Sequence, residues 1–203
     1  MGYCCGYRIF LFLQQEINDI QWKQRLNHNL CIEDNHANDL YKEEKYIDAL
    51  ANSVKEYQKK YGKPDFLLMS YHGIPKRYFD KGDNYPCQCC RTTFRLAQKL
   101  NLKPDEYQMS FQSRLGVAEW MKEYTDQTLK SLPSKGIKKV QVICPGFSAD
   151  CLETIEEISE ENKEYFMESG GEDFGYIPAL NARSDHIEFL SQLLIDNSAG
   201  WNK

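Results

Sequence analysis

Residues 139–158 have the sequence KVQVICPGFSADCLETIEEI, and this stretch decides the fold. Its first part, 139–144, is rich in Val and Ile and predicts a buried β-strand. Pro145 and Gly146 end that strand, and the residues that follow, 150–167, predict a long helix. A strand, a loop and a helix in this order form part of a βαβ unit, the building block of parallel sheets.

The same alternation continues on both sides of this stretch. Short apolar runs predict strands, and apolar residues repeated every three or four positions predict helices. Strands that alternate with helices favour an α/β fold with a parallel, four-stranded sheet. The other predicted strands are 66–69, 107–111 and 174–177, and the other predicted helices are 46–61, 91–100, 124–132 and 183–194.

The beginning of the chain does not share this regularity. Residues 1–38 contain a cysteine pair, a short apolar run and a polar stretch with two histidines, but no clean periodicity. We therefore divide the chain into a poorly patterned segment, 1–38, and a regular α/β domain, 39–203.

The composition limits the classes of function. The 25 basic and 30 acidic residues give a formal net charge of −5 without a basic block, which disfavours nucleic-acid binding by bulk electrostatics. The longest apolar run, 9–13, is far shorter than the ~18 residues that span a bilayer. No signal peptide is recognised, so a cytoplasmic protein is predicted, with peripheral membrane contact left open.

Chemically capable residues collect where the predicted strands end, at 72, 112–114 and 147–153. The carboxyl ends of parallel strands form one edge of a sheet, and ligands bind there. His72 lies at such an end, and imidazole exchanges protons near neutral pH or ligates metals. A histidine that only makes a hydrogen bond in a turn is an equally good interpretation. Three aromatic residues near these ends suit either core packing or the walls of a flat apolar ligand site: Tyr71, Trp120 and Phe147.

An acidic run begins the helix predicted at 150–167. Glu153, Glu157 and Glu161 are spaced by four residues and share one helix face, an arrangement suited to holding or passing on a divalent cation. In a competing structural interpretation, Asp150 is the N-cap, Glu153 is its capping-box partner and the remaining carboxylates form a solvated face. From these residues alone, the structural interpretation is favoured.

The cysteines give a third candidate site. Of eight cysteines, Cys87, Cys89 and Cys90 place three thiols within four residues, which suits a soft metal or an iron–sulfur cluster with a fourth ligand from elsewhere. The spacing has no recognised metal-site signature. A cysteine-rich loop is therefore the favoured interpretation.

Several longer motifs, in order and at matching spacing from about residue 40 to 196, resemble the ferrochelatase family, whose enzymes insert ferrous iron into protoporphyrin IX. Together these motifs cover most of the chain. They are SYHGIP (70–75) with Arg77 and Tyr78; Gly82, Asp83 and Tyr85; SFQSR (110–114) with Gly116 and Trp120; CPGFSADCLET (144–154); GGE (170–172); and YIPALN (176–181).

The resemblance implies roles for the candidate residues. The active-site histidine of the family falls on His72, its active-site glutamate on Glu153 and its acidic ladder on Glu153, Glu157 and Glu161. A cleft that excludes water would raise the pKa of Glu153 and make it a better base. The resemblance also implies a chelatase-type, Rossmann-like three-layer fold and a porphyrin pocket walled by Trp120 and Phe147, with Tyr71 as a further candidate. Some family members carry a [2Fe–2S] cluster, for which Cys87, Cys89 and Cys90 are the candidate ligands.

The length of the chain differs from the family pattern. Family members have two similar α/β halves with the porphyrin between them, and this chain resembles the C-terminal half. We therefore expect little iron insertion by the 203-residue chain alone and a separate N-terminal half as a candidate partner. Two alternatives stay open: a chelatase for another tetrapyrrole, and a non-catalytic protein that binds metal or porphyrin.

Overall fold

Helices and strands alternate through residues 40–198, the part of the chain that the computed structural model describes. The predicted segment 1–38, with Cys4, Cys5 and Cys31, lies outside these residues. The strands are β1 (Phe66–His72), β2 (Tyr107–Gln112), β3 (Lys139–Ile143) and β4 (Asp173–Ile177). The α-helices are α1 (Glu44–Tyr61), α2 (Lys76–Asp80), α3 (Tyr85–Leu100), α4 (Thr125–Ser131), α5 (Leu152–Thr154), α6 (Lys163–Glu168) and α7 (Ser184–Asn197). A π-helix, Ile155–Asn162, joins α5 to α6, and short 3-10 helices lie at Leu40–Lys42 and Pro133–Lys135.

The four strands form one sheet in the order β2-β1-β3-β4, and every neighbouring pair is parallel. His72 at the end of β1 is in register with Gln112 at the end of β2. On the other side of β1, Met69 is in register with Ile143, the last residue of β3. The predicted α/β fold with a parallel four-stranded sheet is confirmed.

Alternate residues of β1 face opposite sides of the sheet. Leu67, Met69 and Tyr71 join one core with α1, α3 and α7. Phe66 and Leu68 join a second core with the helices that precede and follow β3 in the chain. Both faces of the sheet are therefore covered, which gives three layers and explains why β1 is apolar on both faces.

The helices that follow β1 and β3 leave the sheet on opposite faces. Helix α3, after β1, packs in the first core, whereas the helix after β3 packs in the second. Because β1 and β3 are neighbours, a crevice forms between their carboxyl ends, and open α/β sheets bind ligands at such a point. His72 and the loop after Ile143 both lie at this crevice.

Two helices differ from the predicted ones. Helix α3 begins at Tyr85 and not at 91, with Pro86 in its first turn, where the missing N–H of proline leaves no bond unmade. The three neighbouring cysteines, 87, 89 and 90, therefore lie in a helix and not in the predicted loop. The helix predicted at 150–167 begins at Leu152 and is interrupted by the π-helix. Within residues 40–198, no helix combines the length and the apolar character needed to cross a membrane.

Candidate active site at the carboxyl edge of the sheet

His72 is the last residue of β1, and its side chain is half-buried. Its ring nitrogen Nδ1 lies 2.7 Å from the carbonyl oxygen of Gly73. A carbonyl can only accept, so Nδ1 carries the proton of this hydrogen bond and Nε2 of the neutral ring keeps a lone pair. The Tyr85 hydroxyl donates to the His72 carbonyl at 3.0 Å and holds the main chain there. The site thus contains an imidazole whose Nε2 can accept a proton or bind a metal.

Glu153 lies in α5, in the first turn of the helix that follows β3. A hydrogen bond with the Cys151 thiol holds the pKa of Glu153 below its ordinary value, and the Glu153 backbone amide and the charge that the nearby His72 ring carries when protonated lower it further. The rise in pKa expected for a cleft that excludes water does not arise among the described residues, because hydrogen bonds and charge outweigh the small effect of burial on Glu153. Glu153 is ionised at neutral pH. The fold brings an imidazole and a carboxylate together from two separate elements.

The N-terminus of this helix differs from the predicted capping box. Cys151 is the N-cap, and its backbone N–H donates to Thr154 Oγ1 at 2.9 Å. The predicted pair of Asp150 as N-cap and Glu153 as its partner is therefore wrong. Because Thr154 fills the partner position, the carboxylate of Glu153 is not needed to cap the helix.

Asp150 instead joins the loop after β3 to the loop after β4. Its carboxylate accepts hydrogen bonds from the Tyr176 hydroxyl at 2.6 Å, Asn181 Nδ2 at 2.7 Å and the backbone N–H of Ala179 at 3.1 Å. Burial alone would raise the pKa of Asp150, but these hydrogen bonds together hold it below its ordinary value. The two loops at this edge of the sheet are therefore fixed to each other by a charged group.

Replacing Asp150 by alanine is expected to lower the free energy of unfolding by about 2–4 kcal/mol at neutral pH, because several hydrogen bonds to a charged group are lost. The folded-state pKa lies below the unfolded value of ~3.9, so Asp150 stabilises the protein above that value. This stabilisation disappears as the pH falls through the folded-state pKa. Urea unfolding at neutral pH and at about pH 2.5 measures the change, and a loss equal at both pH values would contradict this account.

The middle of the helix after β3 is a π-helix, Ile155–Asn162, where a continuous α-helix was predicted. The buried side chain of Asn162 donates Nδ2 to the carbonyl oxygen of Glu157, five residues earlier, at 2.6 Å. This side-chain hydrogen bond joins residues five apart, as the main-chain hydrogen bonds of a π-helix do, and it supports the π-helical conformation. Since π-helices are rare and often occur at functional sites, this segment is a second indication that the edge carries function.

The three glutamates of the predicted acidic face have different environments. Glu153 lies near His72. The Glu157 carboxylate is held by Ser113, whose backbone N–H donates to Oε1 at 2.6 Å and whose hydroxyl donates to Oε2. Glu161 is exposed to solvent. Along this helix face, Glu153 therefore lies near His72, Glu157 is fixed to the end of β2, and Glu161 is exposed to solvent.

Phe147 and Trp120 lie close to the end of β1. The ring of Phe147 has its centroid 6.4 Å from that of the His72 imidazole. Trp120 lies across Gly73, where an added Cβ atom would be 3.2 Å from Trp120 Cε3 and 2.8 Å from the carbonyl oxygen of Gln112. Glycine at position 73 therefore lets the indole approach the strand end, and two aromatic rings flank the region of His72.

Tyr71 does not lie at this edge. Its side chain is 2% exposed, and its hydroxyl is hydrogen-bonded to Thr93 Oγ1 at 3.0 Å within the core. Successive side chains of a strand point to opposite faces, which sends Tyr71 into the first core beside α3. The assignment of Tyr71 as a porphyrin contact is therefore corrected to core packing.

The cysteines of α3 do not form a cluster site with the described residues. Cys89 is 3% exposed, and burial raises the pKa of its thiol, which disfavours the thiolate that binds metals. Cys87 and Cys90 pack against the same core. Between residues 40 and 198, no group of three or more His, Cys, Asp and Glu side chains is placed to hold a metal. This set of donors does not fit an iron–sulfur cluster.

Gln112 and Ser113 make contacts that sequence reasoning did not assign. Their position after β2 placed them at the edge, but without a role. Gln112 Nε2 donates to the carbonyl oxygen of Glu153 at 2.6 Å, and Ser113 holds Glu157. The available signal was a run of polar residues directly after an apolar strand.

An imidazole, an adjacent carboxylate and two flanking aromatic rings at the switch point of a parallel sheet define an α/β domain equipped to move protons or metal ions at an apolar ligand. A comparison with protein families finds that the ferrochelatase model matches residues 15–198. The chain belongs to the ferrochelatase family. The match begins within the segment 1–38 that the sequence pattern had set apart.

Curated relatives agree with this family. The ferrochelatase of Hydrogenovibrio crunogenus is 63% identical over 156 residues, 77% of this chain and 41% of that protein. The ferrochelatase of Marinobacter nauticus is 55% identical over 77% of this chain and 42% of its own length. The ferrochelatase of Escherichia coli O127:H6 is 56% identical over 73% of this chain and 47% of its own length. The chain thus spans somewhat under half the length of these relatives, and the predicted resemblance is confirmed.

Proposed function

We propose that this chain carries the His72–Glu153 site of a metal chelatase, a lyase that inserts ferrous iron into protoporphyrin IX to form protoheme in heme biosynthesis. Membership of the ferrochelatase family supports the substrates. The observation that carries the site is geometric: Gln112 is in register with His72 and donates to the Glu153 carbonyl oxygen at 2.6 Å, so both residues lie at the carboxyl edge of the sheet.

Insertion requires that two pyrrole protons leave the porphyrin and that the metal reaches the four nitrogens. In this proposal His72 Nε2, which keeps its lone pair because Nδ1 is bonded to Gly73, accepts the two pyrrole protons one after the other. The first proton passes to the acidic face and on to solvent before the second is taken up. Glu153 is anionic at neutral pH and serves as an oxygen ligand for the incoming ferrous ion. The opposite assignment, with His72 as ligand and Glu153 as base, uses the same two groups.

The acidic face leads away from this pair. Glu157 exchanges protons or cations with Glu153 and His72. The Ser113 hydroxyl donates a hydrogen bond to the Glu157 carboxylate and holds it in place. Glu161 is exposed and completes the path to solvent. Carboxylates are suited to this because their oxygens accept both protons and hard cations.

Phe147 and Trp120 form the part of the porphyrin site that lies on this domain. Aromatic faces bind flat apolar ligands, and both rings lie beside the strand that ends in His72. The opposite wall of the porphyrin site is assigned to residues of the related ferrochelatases that have no counterpart in this chain. A cytoplasmic location belongs to the same proposal, and an iron–sulfur cluster does not.

The test is formation of protoheme from ferrous iron and protoporphyrin IX, followed by absorption. The 203-residue chain is assayed alone, and its 156 matched residues are assayed in a chimera, in which they replace the corresponding residues of the Hydrogenovibrio crunogenus ferrochelatase. We expect protoheme from the chimera. A folded chimera that binds porphyrin without inserting iron would favour a non-catalytic binding protein, and insertion into only a different tetrapyrrole would favour another chelatase.

A further inference from the structure

A buried glutamine links the end of β2 to the main chain of Glu153. Gln112 is 2% exposed, and its Nε2 donates to the Glu153 carbonyl oxygen at 2.6 Å. Its Oε1 accepts from the Ser70 hydroxyl at 2.7 Å and from the Cys144 thiol at 3.5 Å. Because these groups donate to one end of the amide and a carbonyl accepts from the other, the orientation of the amide is fixed.

The hydrogen bonds behind Gln112 form a chain with one direction. Ser70 donates its only hydroxyl proton to Gln112. Thr125 is therefore the donor in the 2.8 Å hydrogen bond between Thr125 and Ser70. Thr125 then has no proton left, so in its 2.9 Å contact with Ser110 the serine donates. All of these side chains are buried, and aligned hydrogen bonds in a low dielectric strengthen one another.

We infer that Gln112 is a positioning residue, which fixes the main chain at Glu153 to the end of β2 and thereby sets the Glu153 carboxylate relative to His72. This inference rests on the proposed function, in which those two residues form the site. The partner of Gln112 in register is His72, so one pair of strands places both members of the site.

The chain provides a matched control in Gln141. This residue is also buried, at 5% exposure, lies in the same sheet and donates Nε2 to a backbone carbonyl, that of Gly62, at 2.9 Å. Gly62 precedes β1, at the opposite edge of the sheet from His72. Each glutamine donates one buried hydrogen bond to a backbone carbonyl, but Gln112 also accepts from Ser70 and Cys144, and only Gln112 is bonded to the site.

The experiment titrates the 203-residue chain with Co²⁺ alone and follows the His72 and Glu153 signals by nuclear magnetic resonance. Gln112→Met is expected to weaken Co²⁺ binding by about 10–100-fold, the range seen when groups that orient metal ligands are removed. Gln141→Met is expected to leave the affinity unchanged, although it also removes a buried hydrogen bond to a backbone carbonyl. Should Gln112→Met fail to fold, Ser70→Ala serves instead, with a smaller loss of affinity in the same direction.

A second readout does not depend on metal. The ¹³C shift of the Glu153 carbonyl should move in Gln112→Met and stay constant in Gln141→Met, because only the first removes its hydrogen bond. An unchanged shift, or an unchanged Co²⁺ affinity in a chain that binds Co²⁺, would overturn the inference. A chain that gives no Co²⁺ effect at either His72 or Glu153 would contradict the proposed function, and the carbonyl shift would then still decide whether Gln112 holds the main chain.

Discussion

Replacing His72 by alanine is expected to reduce protoheme formation by the chimera at least about 100-fold, the usual cost of removing a general acid–base group. The fold should persist, because His72 is half-buried at a strand end. The lost hydrogen bond to Gly73 contributes about 1 kcal/mol. Rates and thermal unfolding measured on the same preparation separate the two effects.

His72→Asn is the matched control for this prediction. The asparagine amide can donate to the Gly73 carbonyl as Nδ1 does, but it offers neither a base nor a metal ligand. We therefore expect the asparagine variant to be as slow as the alanine variant. Near-normal rates in either variant would return His72 to the interpretation of a turn histidine.

Replacing Glu153 by glutamine is expected to cause a loss of similar size, about 100-fold or more, because the shape is kept while the negative charge is removed. Stability should change little, since Cys151 and Thr154 make the capping contacts of this helix. Glu161→Gln is the control on the same acidic face. Because Glu161 is exposed and lies at the far end of that face, its loss should slow insertion only modestly.

The opposite outcome has a clear meaning. If Glu153→Gln kept full activity, the acidic run would be a solvated helix face and the site would have to be rebuilt around other groups. If Glu153→Gln and Glu161→Gln were equally slow, the loss would reflect the total charge of the face. Only a large difference between the two variants supports a specific role for Glu153.

The sheet was predictable because its signals are local. Each strand is a short apolar run that ends at a turn, and alternation with helices favours parallel pairing. From this alone it follows that His72 and the loop after β3 share one edge. The pairing of His72 with Glu153 came from family resemblance, because the acidic run by itself suits a capped, solvated helix equally well.

Contacts between distant residues were not predictable in the same way. Asp150 has the features of an N-cap, but Tyr176 and Asn181, 26 and 31 residues later, bind its oxygens. The π-helix includes a side-chain bond from Asn162 to the carbonyl of Glu157, which a pattern of apolar residues does not record. Such polar contacts depend on loops that only the folded chain brings together.

The most direct test of the central claim is a double-mutant cycle on protoheme formation, with His72→Ala, Glu153→Gln and both together in the chimera. If His72 and Glu153 act as one site, the double variant should be about as slow as the slower single variant, since groups that act as a unit are not additive. Losses that multiply fully in the double variant would show that the two residues act independently, and would contradict a shared site at the crevice between β1 and β3.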